Sequence, residues 1–401
     1  MLRTSLQVPE RLAQIPHYPI LYSHPSPIHP LPTLTSSSLP TTPAPHSPKI
    51  SIFTKREDQA APLACSGNKY RKLEYIVPDI LSTAPKHGHH EYHPSDQPLP
   101  GRSTILVTEG AIQSNHTVQV AALARKLGLK ALVLLNRGTG GGLRNASDKA
   151  SFLRTGNVQI NRLLGAEVRV LDEGDPLSGD ADPVLRELSA KGEIPYWIPG
   201  GASLHPLSGL GYVRAAVEIA QQETEMKLGG SGRFDFVFVA CGSGSTVSGL
   251  IAGFKMLESG EAQGGLPPRR VIGVLNSPTK PRQYHEERVL RFARREGLLV
   301  GLDAEKDITM ADVRLEDRFV GTGYGVLDGD TRVALRHMAE REGVILDPVY
   351  TAKVARAMLQ WVHEKEIRDY ADDHAMKHVN VLFIHTGGQA ALGAYADVDW
   401  E

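Results

Sequence analysis

Short, nearly continuous apolar runs recur along this chain with helix-patterned segments between them, and that alternation constrains the fold more than any other feature. Residues 104–107 form such a run and are followed by a helix opening at Ser114. Then come residues 131–135, a helix through 152–164, and the runs 167–171 and 196–198. Apolar residues at successive positions fit strands buried on both faces, and helices returning between them make those strands parallel. The pattern resumes at 234–240, 271–275 and 379–384, after a long helical stretch over 206–228. At 401 residues the chain is too long for one core. The expectation is an α/β protein of two three-layer lobes with mostly parallel, twisted sheets. A larger domain of residues 1–71 plus 206–401 carries a smaller α/β domain, 72–205, inserted in it, and the alternating run 50–54 crosses back to join the larger one.

Composition narrows the partners. The formal net charge is -1, without the basic excess that nucleic acid or an anionic membrane requires, so the expected partner is a small molecule. Cys65 and Cys241 stand far apart with no companion at metal-ligand spacing, which argues for a reducing compartment, no disulfide framework and no metal. There is neither a run of about eighteen apolar residues nor the basic-then-apolar order of a secretory signal, so a cytoplasmic location is expected. Arg3 and Arg11 beside the single acid Glu10 echo a mitochondrial transit peptide, which stays open although Pro9, Pro16 and Pro19 would interrupt its helix. Residues 24–48, dense in proline, serine and threonine, read as an extended strap or loop. The polar insertion 85–102 holds His87, His89, His90 and His93 without a cysteine or a helical i, i+4 pair, as a surface loop does.

Ligands of parallel sheets bind beyond the carboxyl ends of the strands. The helix-opening run Ser66-Gly67-Asn68-Lys69-Tyr70-Arg71-Lys72 sets one amine, Lys69, among glycine, amide and aromatic neighbours. An imine-forming lysine needs a lowered pKa, from desolvation or from nearby cations such as Arg71 and Lys72. The same run, taken alone, fits the solvated face of an ordinary helix. In the loop Thr108-Glu109-Gly110-Ala111-Ile112-Gln113-Ser114-Asn115-His116, a helix start offers donors to a carboxylate, or Ser114 is a plain N-cap. Cys241-Gly242-Ser243-Gly244-Ser245-Thr246 is a phosphate cup or a packing turn. It lacks the Walker lysine, the G-x-G-x-x-G spacing and the G-x-S-x-G elbow, which disfavours nucleotide triphosphatases, nicotinamide enzymes and serine hydrolases. Tyr350 offers a phenol, and Thr351 and Thr386 offer hydroxyls suited to a heteroaromatic nitrogen, or to capping. A reactive lysine, a phosphate cup, a carboxylate site and a neutral ring partner together describe a site for pyridoxal 5'-phosphate.

From about residue 18 to about residue 396 the chain resembles the D-cysteine desulfhydrase and 1-aminocyclopropane-1-carboxylate deaminase family. The resemblance is carried by Lys55-Arg56-Glu57-Asp58, Gly67-Asn68-Lys69 with Arg71-Lys72-Leu73-Glu74-Tyr75, and Gly110-Ala111-Ile112-Gln113-Ser114-Asn115-His116. Gly209-Leu210-Gly211-Tyr212, Gly323-Tyr324-Gly325-Val326, Asp347-Pro348-Val349-Tyr350-Thr351 and His385-Thr386-Gly387-Gly388 extend it. It implies a tryptophan-synthase-β-like fold (PLP fold type II) and a homodimer. It implies that Lys69, flanked by Asn68, forms a Schiff base with the cofactor, and that Ser114, Asn115 and His116 bind the substrate carboxylate. Gly242, Ser243, Gly244, Ser245 and Thr246 would hold the phosphate, Thr351 and Thr386 would contact the cofactor, and Tyr324 and Tyr350 would flank the substrate, joining Lys69 and Ser114 as catalytic residues.

Ring-opening deaminases of that family carry glutamate after the Asp-Pro-Val-Tyr run and leucine after the last-strand histidine, where this chain has Thr351 and Thr386. A carboxylate near the pyridine nitrogen keeps it protonated and a threonine does not, so the expected reaction is α,β-elimination. D-cysteine would give pyruvate, sulfide and ammonia. The alternatives are 1-aminocyclopropane-1-carboxylate deamination to 2-oxobutanoate and ammonia, β-replacement, and a non-catalytic cofactor-binding protein. Glu109, Gln389 and Cys65 depart from the family pattern, and Gln389 and Cys65 are expected near the substrate pocket.

Overall fold

Ten strands of the computed structural model form two sheets. It describes residues 7–37, 48–88, 101–136, 153–171, 181–260, 266–277, 280–396 and 398–400; His89, His90 and His93 lie outside them. The strands are β1 (Ile28–Pro30), β2 (Lys49–Arg56), β3 (Ile105–Ala111), β4 (Lys130–Asn136), β5 (Glu167–Leu171), β6 (Pro195–Ile198), β7 (Phe236–Cys241), β8 (Arg270–Leu275), β9 (Arg314–Glu316) and β10 (His378–His385). One sheet has the order β1-β2-β10-β7-β8-β9 and the other β5-β4-β3-β6. Neighbours are parallel except β1, which runs antiparallel to β2. The chain is thus an α/β protein with mostly parallel sheets.

The apolar runs are continuous because both faces of each sheet are covered. Val237, Val239, Leu382 and Ile384 point into a core shared with the helices Leu210–Met226 and Ser245–Gly260. Their alternate neighbours Phe236, Phe238, Val381 and Phe383 pack on the other face, against the helix Thr351–His363. The smaller sheet repeats this, with Leu106, Val133 and Ile198 on one side and Val107, Leu132 and Trp197 on the other.

The strap expected over 24–48 holds regular structure in its described part: β1 and the helix Pro32–Ser37. Leu31 and Leu34 are buried, the Leu31 N–H reaches the Ile52 carbonyl at 2.8 Å, and the Leu34 N–H reaches Glu342 Oε1 at 2.7 Å. Two apolar anchors outweigh the polar composition around them.

The helix Asn68–Ile80 is shared between the two halves. Tyr75 packs with the Leu210–Met226 helix, whereas Tyr70, Leu73, Ile76, Val77 and Ile80 pack with the smaller sheet. Strands β3 to β6 all fall between residues 105 and 198. On that segregation we propose the division into 1–71 plus 206–401 and 72–205, the first boundary falling inside this helix. Among the described residues no helix is long and apolar enough to cross a membrane, and no three His, Cys, Asp or Glu side chains cluster as metal ligands.

Candidate active site

A cavity of about 320 Å³ lies where the loops after β3, β7, β8 and β10 meet the start of the Asn68–Ile80 helix, the place a parallel sheet offers a ligand. Lys69 is on its wall. Burial lowers the pKa of this amine to about 8, opposed by a hydrogen bond with Lys72. Of the two causes expected, desolvation is the larger, and the repulsion between the two amines is felt at Lys72. Arg71 turns to Glu57 and Glu218, its Nη2 lying 2.9 Å from Glu218 Oε1. Lys72 is itself held well below the ordinary range, by burial and then by Lys69, and donates to Ser245 Oγ at 2.7 Å. One helical face carries both amines, at i and i+3.

Asn68, also on the wall, ties the surrounding loops together: its N–H donates to the Thr386 carbonyl at 3.1 Å and its Nδ2 to Thr246 Oγ1 at 3.2 Å. This approach requires Gly67, since a Cβ there would lie 2.7 Å from the Thr386 carbonyl oxygen. Strand β7 ends at Cys241 and the next helix begins at Ser245. Of the turn between and just beyond them, Gly242, Ser243, Gly244 and Thr246 face the cavity, with Gly244 at φ +101°. Ser245 does not face it; its hydroxyl is taken by Lys72 and, at 3.1 Å, by Ser203.

Ser114, Asn115 and His116 line the cavity at the start of the helix Asn115–Lys126. Ser114 occupies the N-cap position without a side-chain capping bond, so the plain-cap alternative fails and its hydroxyl is left at the cavity. Asn115 is oriented by a residue that the sequence did not mark: Asn157 Nδ2 donates to Asn115 Oδ1 at 2.7 Å and to the Gln113 carbonyl at 2.9 Å. His116 Nε2 lies 2.9 Å from Thr108 Oγ1, whose proton goes to the Ile198 carbonyl. The ring therefore donates from Nε2, and its buried Nδ1 has no partner. Burial, then Lys69 and Lys72, hold the His116 pKa well down, so it is a neutral acceptor rather than a cation.

Tyr324 and Tyr350 share the wall and are hydrogen-bonded hydroxyl to hydroxyl. Thr386 also faces the cavity, but Thr351 does not: its Oγ1 donates to Asp347 Oδ1 at 2.7 Å and accepts from the Asp347 N–H at 2.7 Å. Asp347 also receives the N–H groups of Val349, Tyr350 and Thr351, so this threonine belongs to a helix-start knot, not to a ring nitrogen. Among the described lining residues there is no carboxylate. Gln389 and Cys65 are not on the wall either; Gln389 Nε2 donates to Asp58 Oδ2 at 2.9 Å. Asn276, His285 and Arg288 are, and the sequence signal for Asn276 was its place just after β8.

Fold and cavity together define the class: a parallel α/β scaffold that presents a half-buried lysine of lowered pKa and a glycine-rich strand-to-helix turn to one small-molecule site. The family model described as pyridoxal-phosphate dependent enzyme matches residues 25–387, and the chain belongs to that family. Two curated relatives, both named 1-aminocyclopropane-1-carboxylate deaminase, are 35% identical in Burkholderia multivorans and 36% identical in Burkholderia vietnamiensis. Each match covers 96% of this chain and 98% of the relative. A crystal structure described as an ACC deaminase homologue is 28% identical, with a TM-score of 0.72 over 96% of both chains.

The cofactor is pyridoxal 5'-phosphate, and the residues present fit it: an amine of lowered pKa on the cavity wall for its aldehyde, a turn of backbone donors for its phosphate, and the unpartnered buried Asn276 Nδ2 beside that turn. When bound, it supplies an electron sink for charge developing at the amino-acid α-carbon.

Proposed function

We propose that this chain deaminates a small α-amino acid, releasing ammonia and a 2-oxo acid, and that 1-aminocyclopropane-1-carboxylate is its substrate. One observation carries the reading: Lys69, half-buried and with its pKa lowered by desolvation to about 8, shares a cavity with the 242–246 turn. The activity named for the two Burkholderia relatives supports the choice of substrate. In this reading Ser114 and Asn115 hold the substrate carboxylate, and Lys69 is the cavity's base once the substrate amine has displaced it. This substrate has no hydrogen on its α-carbon, so ring opening needs a group at the ring methylene, and Ser114, Tyr324 and Tyr350 supply hydroxyls on the wall.

A second reading, elimination from D-cysteine, is favoured by the lack of a carboxylate among the described lining residues. Such a site draws less charge into a pyridine ring and suits a good leaving group such as thiolate. Keto-acid identification across the cyclopropane amino acid, D- and L-cysteine, β-chloro-D-alanine and D-serine separates the two. Formation of 2-oxobutanoate supports the first, and pyruvate with sulfide from D-cysteine alone supports the second. No keto acid from any of them overturns both.

The resemblance also supports a cytoplasmic homodimer. Light scattering of the purified protein tests the assembly.

A further inference from the structure

Arg288, on the helix Arg282–Leu299, is a cation on the cavity wall that the reading above does not use. Its Nη2 donates to the Gly242 carbonyl at 2.6 Å and lies 2.9 Å from His285 Nδ1. A guanidinium only donates, so His285 accepts there and fixes the arginine as a neutral ring; burial and then the Arg288 charge keep its pKa low. Among the described residues no carboxylate pairs with Arg288; its guanidinium carbon lies 5.5 Å from the Tyr284 ring centroid, and its buried Nε has no partner. The guanidinium lies along the turn itself, for a Cβ at Gly244 would sit 3.7 Å from its Nε. Beside Gly242, where a Cβ would come 3.4 Å from it, stands Asn276 Nδ2. This donor belongs to a side chain that is 2% exposed, lies on the cavity wall and has no partner. A turn of backbone N–H groups flanked by a guanidinium with an unpartnered Nε and by a free amide donor is a site for a multiply charged oxyanion.

We propose that Arg288, positioned by His285, is a side-chain cation of the cofactor's phosphate site. The inference rests on the reading that Lys69 and the 242–246 turn bind one pyridoxal phosphate. Arginine suits the task because its planar fork donates to a neighbouring carbonyl and to a phosphate oxygen at once. Lys72, bonded to Ser245, is not on the cavity wall, whereas Arg288, bonded to Gly242, is.

The test compares reconstitution of the apoprotein with pyridoxal 5'-phosphate and with pyridoxal, which has the aldehyde but no phosphate. Arg288→Gln is expected to weaken binding of the phosphorylated form about 10- to 100-fold and to leave the affinity for pyridoxal unchanged. Arg288→Lys, which keeps the charge and loses the fork, is expected to fall between wild type and Arg288→Gln. Inorganic phosphate should raise the melting temperature of the wild-type apoprotein and not that of Arg288→Gln. Equal effects on both aldehydes, or none on either, overturn the proposal. The underlying site is checked separately: wild-type protein that gives no imine absorbance abolished by Lys69→Ala removes that reading, whatever Arg288 does.

Discussion

Tyr324 and Tyr350 join hydroxyl to hydroxyl on the cavity wall that carries Lys69, their rings edge to face with centroids 5.9 Å apart. Burial raises the pKa of both, Tyr350 to about 12 and Tyr324 well above the ordinary value. Neither is a phenolate at neutral pH, so the pair moves or holds a proton as a unit. Tyr324→Phe and Tyr350→Phe are each expected to lower kcat about 100-fold, and the double variant to be little worse than the poorer single one. Losses that multiply in steady-state kinetics would show two independent phenols.

With a pKa of about 8, the Lys69 amine is about one-tenth unprotonated at pH 7, against well under one-thousandth for an ordinary lysine. The rate of imine formation with added pyridoxal phosphate should climb about tenfold per pH unit below about pH 8 and level off above it. Stopped-flow absorbance against pH reads this directly. A rise continuing to pH 10 would mean an unperturbed amine.

Thr351 is tied to Asp347, so Thr351→Val should cost stability rather than chemistry. Losing its bonds to the buried Asp347 is expected to lower the unfolding free energy by about 1–3 kcal/mol in urea. Thr386→Val, on the wall, should instead change turnover with little change in unfolding.

Arg71, Glu57, Glu218 and Lys55 form a buried charged cluster beside the lysine helix. Arg71→Met leaves Glu57 without its charged partner and Glu218 with Lys55 alone, and should destabilise the protein by about 3–5 kcal/mol. Burial raises the Glu218 pKa, but Arg71 and Lys55 outweigh it and hold the carboxyl well below its usual range. A depressed native value means that the contribution is complete above the ordinary carboxylate range and is lost as pH falls through the native value. The stability gap between wild type and Glu218→Gln should stay constant from neutrality to about pH 5 and narrow below it.

Asn157 is not itself on the cavity wall, yet it sets Asn115, which is. Asn157→Ala frees that amide to rotate, with an expected rise in KM of about tenfold at nearly unchanged kcat. An equal fall in kcat would place Asn157 in the chemical step.

The central strands were legible because they are buried on two faces, which writes an unbroken apolar run; β7, β8 and β10 fall within about two residues of their expected limits. β1 and β9 were not, being three-residue edge strands with too few positions to show a period. At the site, residues that follow strands in glycine-marked loops could be read from order alone. Asn157, Arg288 and the turning of Ser245 and Thr351 away from the cavity could not, since each depends on which of two hydrogen-bond partners lies nearer in space. Which of the two expected causes leads the Lys69 shift could not be read either: adjacency in sequence shows the cations, whereas desolvation, the larger cause, is a property of the fold.

The helix that starts at Asn68 is gripped at both flanks, by ion pairs and Tyr75 toward one sheet and by an aliphatic seam toward the other. It therefore packs against both halves at once. Any swing of one against the other would turn its first residues, so that the reach of the reactive amine and the openness of the cleft become a single mechanical variable.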